Sequence, residues 1–275
     1  MTPKDRLIQK QKGYWEKREQ AAKDTITDKT IEDINNQLLK YYKNAMKRVI
    51  SEFEATYDKL LATTEKGREP TPADLYKLDR YWQMQSQLAN EMQKLGDYET
   101  ALLSKEFEKQ WKEIYETTAV PSDVAFATVP TDLAHTAIKT AWAPDGKNFS
   151  KRIWDNTEKL VQTLNEKLIN CVLTGKKTSD LKKELVERFN VSLSQASTLV
   201  RTETAHIQVE AAAQRYKDSG ITYYKFLGRK EHDIGCECRK LDGKIFTFAE
   251  KQTGKNCPPM HPNCRCDIRA VVDIP

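Results

Sequence analysis

The sequence predicts a mainly α protein, with an elongated N-terminal helical region followed by a small C-terminal α+β unit of short antiparallel strands. Three observations carry this expectation. Apolar residues recur at spacings of three and four from Ile31 to Ala211, the period of helices with one buried face. Only ten glycines and ten prolines interrupt 275 residues, so long stretches lack a breaker. From Ile221 onward the pattern changes to short β-branched and aromatic runs, which pack well on a pleated surface.

Residues 1–26 are polar and charged, with Tyr14 and Trp15 as their only aromatics, and read as an N-terminal arm. Thr27 or Asp28 is the expected cap of the next helix. Ile31, Ile34, Leu38, Tyr41, Ala45, Val49, Phe53, Tyr57 and Leu60 then form one stripe, ended by Gly67 and Pro70. Thr71-Pro72 reads as an N-cap with proline at the first helical position. Leu75, Leu78, Trp82, Leu88, Met92 and Leu95 follow, with Gly96 as the expected stop, and a third helix carries Leu102, Phe107, Trp111 and Ile114. Pro121 and Pro130 bracket a looser segment.

A helix through Leu133, Ile138 and Trp142 leads to a turn at Ala143–Gly146. Phe149, Ile153, Leu160, Leu164, Leu168 and Val172 make the next amphipathic helix, closed by Gly175. A short helix from Ser179-Asp180 to Phe189 is expected, then a long one from Ser192 or Ser194 to Ser219-Gly220. Strands are expected around 221–226, 244–248 and 267–272. The organisation predicted is an arm at 1–26, a long-helix region at 27–120, a helical region at 121–190 and an α+β unit at 191–275.

Composition limits what such a chain does. No run approaches the 18 apolar residues of a membrane span, and Met1–Leu7 lacks the apolar stretch of a signal peptide. A reducing compartment is therefore expected, in which clustered Cys and His read as a metal site and not as disulfides. Net charge is +5, from 45 basic and 40 acidic residues, which permits contact with a polyanion without demanding it. With no block of five Lys or Arg, any DNA contact must come from a folded surface.

Five candidate metal ligands fall in two pieces: Cys236 and Cys238, then His261, Cys264 and Cys266. Cys257 lies just before Pro258-Pro259, and Cys171 lies far upstream. Thiolates and an imidazole suit tetrahedral zinc, and two ligand pieces far apart in sequence can pin a sheet with little core of its own. Prolines 258, 259 and 262 stiffen the approach to the second piece. Cys-x-Cys is not zinc-finger spacing, because both thiolates must turn to one side over a short stretch. One Cys of each pair can instead be a core residue. Cys238, His261 and Cys264 are the favoured ligands, with Cys236 or Cys266 completing a structural site.

A catalytic zinc needs an open position and usually a carboxylate base. Glu231, Asp233, Glu237 and His232 are near in sequence, but loop residues of this kind are more often simply exposed. In Arg201-Thr-Glu203 the two charges do not face each other on a helix. Glu203 is expected to anchor the helix to the Cys/His unit. Asp242-Gly243 is the expected tight turn between strands.

The run from Trp142 to the end resembles the Mu F-like head morphogenesis family, the minor head proteins of tailed phages. Four pieces carry the resemblance: Gly146–Trp154, Leu199–Ala205, Cys238-Arg-Lys-Leu-Asp-Gly-Lys244 and Pro258-Pro-Met-His-Pro-Asn-Cys-Arg-Cys266. Their order and separations match across about half the chain. The pair Cys236-Glu-Cys238 departs from the C-x-x-C seen in many relatives, which leaves Cys238 in place and the role of Cys236 open. The resemblance implies a non-enzymatic component of the phage head, with the portal protein, packaged double-stranded DNA and a major capsid or scaffolding protein as partners. It implies a place in the virion interior near the portal, and exit with the genome in some relatives. The competing expectation is a zinc-dependent hydrolase, such as a nuclease, carried in the particle.

Overall fold

A computed structural model describes residues 3–120, 129–229 and 236–272, with side chains from residue 17 onward. The side chains of Tyr14 and Trp15, Pro121, and the loop residues Glu231, His232 and Asp233 lie outside the described residues. The elements are α1 (Pro3–Thr63), α2 (Pro72–Tyr76), α3 (Asp79–Thr117), α4 (Thr131–Lys139), α5 (Phe149–Leu173) and α6 (Thr178–Asp218). They are followed by β1 (Tyr223–Leu227), α7 (Glu237–Leu241), β2 (Ile245–Thr247) and β3 (Asp267–Val271). The fold class is the expected one: long helices, then a small antiparallel sheet. No helix among the described residues is long and apolar enough to cross a membrane.

Three expected helix boundaries are absent, each for a physical reason. Thr27 does not cap a helix, because α1 runs through it and its hydroxyl donates to Gln208 Oε1 at 2.5 Å. Ser192 lies buried inside the unbroken α6. Gly96 does not end α3; the indole of Trp154 lies 2.7 Å from where a Cβ would sit, so glycine there serves close packing. Other signals hold. Thr71 and Asp74 form a capping box at α2. Gly175 and Gly220 have positive φ after α5 and α6, and Ile221 N–H donates to Tyr216 O at 3.0 Å.

The described chain forms two compact units. One comprises Asn35–Leu102 and Ser150–Ser197 and is all helical. Its core uses the sequence stripes: Leu38, Val49, Phe53 and Leu60 from α1, Leu88 and Leu95 from α3, Leu160 and Leu164 from α5, and Leu185 and Phe189 from α6. Burying each contributes roughly 1.5–3 kcal/mol.

The other unit comprises Met1–Ile34, Leu103–Phe149 and Thr198–Pro275. It holds the sheet, in order β2-β1-β3, with every pairing antiparallel. Central β1 alternates so that Tyr224 and Phe226 are fully buried. Tyr224 lies opposite Phe246 of β2 and Ala270 of β3. Asp242-Gly243 does form a turn, but it joins α7 to β2 and not two strands, because Glu237–Leu241 is helical. Lys244 N–H closes that turn on Leu241 O at 3.0 Å.

Candidate metal centre

The five expected ligands converge in the sheet-bearing unit, in two overlapping groups. Cys236, Cys238 and His261 form one, and Cys238, Cys264 and Cys266 the other, with ligand atoms inside each group within 4.8 Å of one another. Cys238 belongs to both. Its Sγ lies 3.8 Å from Cys264 Sγ, and Cys236 Sγ lies 3.6 Å from His261 Nε2. Two thiolates on one tetrahedral zinc, each about 2.3 Å from the metal, stand about 3.8 Å apart, so these separations suit ligands of a shared ion. Cys257 is buried elsewhere and joins neither group, while Cys171 lies in α5 of the helical unit. All six cysteines are free thiols.

Local backbone explains the convergence. Cys236 is the N-cap of α7, with extended φ −66° and ψ 134°, while Cys238 lies inside the helix. The change of backbone between them brings both sulfurs to one side despite the short Cys-x-Cys spacing. The second piece is a type II turn. His261 O accepts Cys264 N–H at 3.1 Å, Pro262 fills the first central position, and Asn263 takes φ 59° at the second. Asn263 N–H donates to Thr202 Oγ1 at 3.0 Å, which ties the turn to α6. His261 Nδ1 lies 2.9 Å from Pro262 O. Donation there leaves Nε2 with its lone pair facing the sulfurs, the arrangement of a metal-binding imidazole.

The surroundings are apolar. Cys238, Cys264 and Cys266 are buried with Phe226, and Leu241, Phe246 and Met260 pack against them. Cys264 ionises most easily: a hydrogen bond from Cys266 lowers its pKa, burial opposes this, and backbone hydrogen bonds and His261 add to the lowering. The Cys266 thiol is raised, first by its hydrogen bond to Cys264 and then by burial. Burial raises Cys238, and the charge of Cys264 adds to it. The protein alone thus favours a thiolate at Cys264 and opposes one at Cys238 or Cys266. A divalent cation reverses that balance by stabilising every thiolate that binds it, so the donor set fits a metal.

Among the described residues no carboxylate joins either group. Glu237 points away and pairs with Lys240. Glu203, the expected anchor of α6, holds Trp142 of the same unit. It is buried and accepts the Trp142 indole N–H at 2.9 Å. Thr202, between Arg201 and Glu203, ties α6 to the turn that carries His261 and Cys264. Arg201 lines a cleft of about 490 Å³ with Asp24, Asp28, Arg229, Arg265, Cys264 and Cys266. The contribution of α1 to this region was missed by sequence reasoning, because a polar helical stripe reads as a solvated face.

The fold and site define a class: a long-helix protein whose short C-terminal sheet carries a thiol and imidazole cluster. Residues 162–269, which include all five clustered ligands, match the family of phage Mu protein F like protein. The match covers less than half of the chain and lies within the stretch that carries the expected resemblance. An alignment over 142 residues, taking in 46% of the chain, is 27% identical to the NAD(+)--arginine ADP-ribosyltransferase EFV of Enterococcus faecalis (strain ATCC 700802 / V583). It covers 29% of that protein, so the chain spans under a third of that relative's length. No solved structure matches.

Proposed function

We propose that this chain is a structural minor head protein of a tailed phage, acting at the portal and on packaged DNA, with a structural zinc in its C-terminal unit. The observation that carries the reading is the family match over 162–269, a region that contains the whole Cys/His cluster. The long amphipathic helices suit partner surfaces, and the +5 charge suits a site near DNA. We assign the zinc to Cys236, Cys238, His261 and Cys264, with the Cys266 thiol donating a hydrogen bond to the Cys264 sulfur. When bound, zinc supplies cross-linking and charge neutralisation, and its binding free energy becomes folding free energy of the sheet.

A hydrolase would need an open metal position and a base. Around the described thiols stand Phe226, Leu241, Phe246 and Met260, which favours the structural role. ADP-ribosyl transfer belongs to the name of a relative matched over 29% of its length.

The deciding experiment combines purified chain with portal oligomers and with duplex DNA of unrelated sequences. Co-migration with the portal, and DNA binding that is indifferent to sequence and weakens steeply with salt, are expected. A chain that ignores both at low salt refutes the reading. Metal-dependent cleavage of plasmid DNA that is lost in His261→Ala would replace it with the hydrolase.

A further inference from the structure

The segment Cys264-Arg265-Cys266-Asp267 is fastened at both of its non-cysteine positions to the early turns of α1. Lys23 is 1% exposed, and its Nζ lies 3.2 Å from Oδ2 of Asp267, itself 1% exposed. The same Oδ2 accepts Gln20 Nε2 and Gln208 Nε2, each at 2.8 Å, and Asp267 Oδ1 accepts Ile268 N–H at 2.8 Å. Thr27 donates to Gln208 Oε1, which orients that amide to donate to Asp267. Arg265 Nη2 donates to Asp28 at 2.9 Å, and its carbonyl accepts Arg229 Nε at 2.9 Å. Arg229 in turn pairs with Asp24 at 2.6 Å. Gln20, Lys23, Asp24, Thr27 and Asp28 recur at spacings of three and four, so one face of α1 makes the whole set.

We infer that this polar face of α1 is a positioning element for the metal-ligand segment, and that Lys23 is the side chain on which it depends. Lys23 acts through Asp267, which fixes the backbone at Cys266 and the start of β3. The surface pairs at Asp24 and Asp28 contribute little, because water screens them. The Lys23–Asp267 pair differs, since both charges are removed from solvent. Burial alone would lower the Lys23 pKa, but Asp267, Tyr216 and Glu19 together raise it, so the ammonium keeps its charge. Deleting either partner leaves the other charged and buried, whereas deleting both removes the strain.

The role of Lys23 for metal rests on the zinc reading, but the fastening itself does not, and two readouts separate them. The test uses the full chain, Lys23→Met, and the double variant Lys23→Met with Asp267→Asn. Maleimide labelling of each cysteine is followed by mass spectrometry, and zinc transfer to a colorimetric chelator is followed in parallel. Cys257, buried in the same unit outside the cluster, and Cys171, buried in the helical unit, serve as internal controls. In Lys23→Met, labelling of Cys264 and Cys266 and loss of zinc should accelerate by roughly a hundredfold while both controls hold. The double variant should recover most of the protection. Unchanged labelling at Cys264 and Cys266, or equal acceleration at Cys257, overturns the inference. Wild-type protein without zinc removes the metal reading, and the labelling still decides the fastening.

Discussion

Glu99 is 2% exposed in the all-helical unit, and its Oε2 lies 3.2 Å from the Tyr42 hydroxyl. Burial raises its pKa from 4.5 to about 7, against the smaller lowering effect of the tyrosine hydrogen bond. A folded pKa above the unfolded value means stability that is whole below the unfolded pKa and lost as pH rises through the folded one. The window here runs from about 4.5 to about 7. At about 1.4 kcal/mol per unit the full loss is on the order of 3–4 kcal/mol. Glu99→Gln should therefore match the wild type in urea unfolding near pH 4.5 and exceed it near pH 8. Parallel pH profiles for the two proteins would refute this. Nothing in the sequence marks Glu99 among the many exposed carboxylates. At Pro262 the sequence indicated a stiffened approach, and the structure adds a left-handed Asn263 between His261 and Cys264.

Short elements position the site, and close approach governs them. Gly228, just after β1, donates its N–H to Asp242 Oδ1 at 2.8 Å. A Cβ there would stand 2.9 Å from the Cys238 carbonyl oxygen and 2.9 Å from Asp242 Cβ. The carbonyl belongs to α7 and cannot swing aside without moving the Cys238 sulfur. Gly228→Ala should cost about 1–3 kcal/mol of overpacking and weaken zinc retention. Denaturant unfolding and metal content measured together would show it, and a variant with wild-type values in both would disprove the contact. The strands and α5 were legible because period and punctuation agree there. Boundaries within α1, α3 and α6 were misread because capping and stop residues are spent on tertiary partners: Thr27 on Gln208, and Gly96 on the Trp154 ring.

The sheet has three short strands, and the buried cluster around Phe226 is mostly sulfur. A metal holding such a unit makes its stability conditional. Hydrogen exchange should show that Cys264→Ser, or zinc removal from the wild type, loosens residues 221–272 and leaves 35–102 and 150–197 protected. Cys266→Ser should retain zinc, since a serine hydroxyl also donates to a thiolate. Loss of metal in Cys266→Ser with retention in Cys236→Ser would reassign the fourth ligand. Uniform exchange in all variants would remove the structural role.

The sequence alone determined the helical class, the change to strands after Ile221, the Cys/His cluster and the family pattern that frames it. Each of these is a local signal: a period of 3.6 or 2, a turn residue, a ligand spacing. Only the tertiary structure decided which thiols meet at Cys238 and that Thr202 holds the turn between His261 and Cys264. It also turned a polar N-terminal stretch into a buried mount for Asp267. A lysine in a charged helix looks the same in sequence whether it faces water or a carboxylate more than two hundred residues away. The difference is desolvation, which only the packed chain specifies.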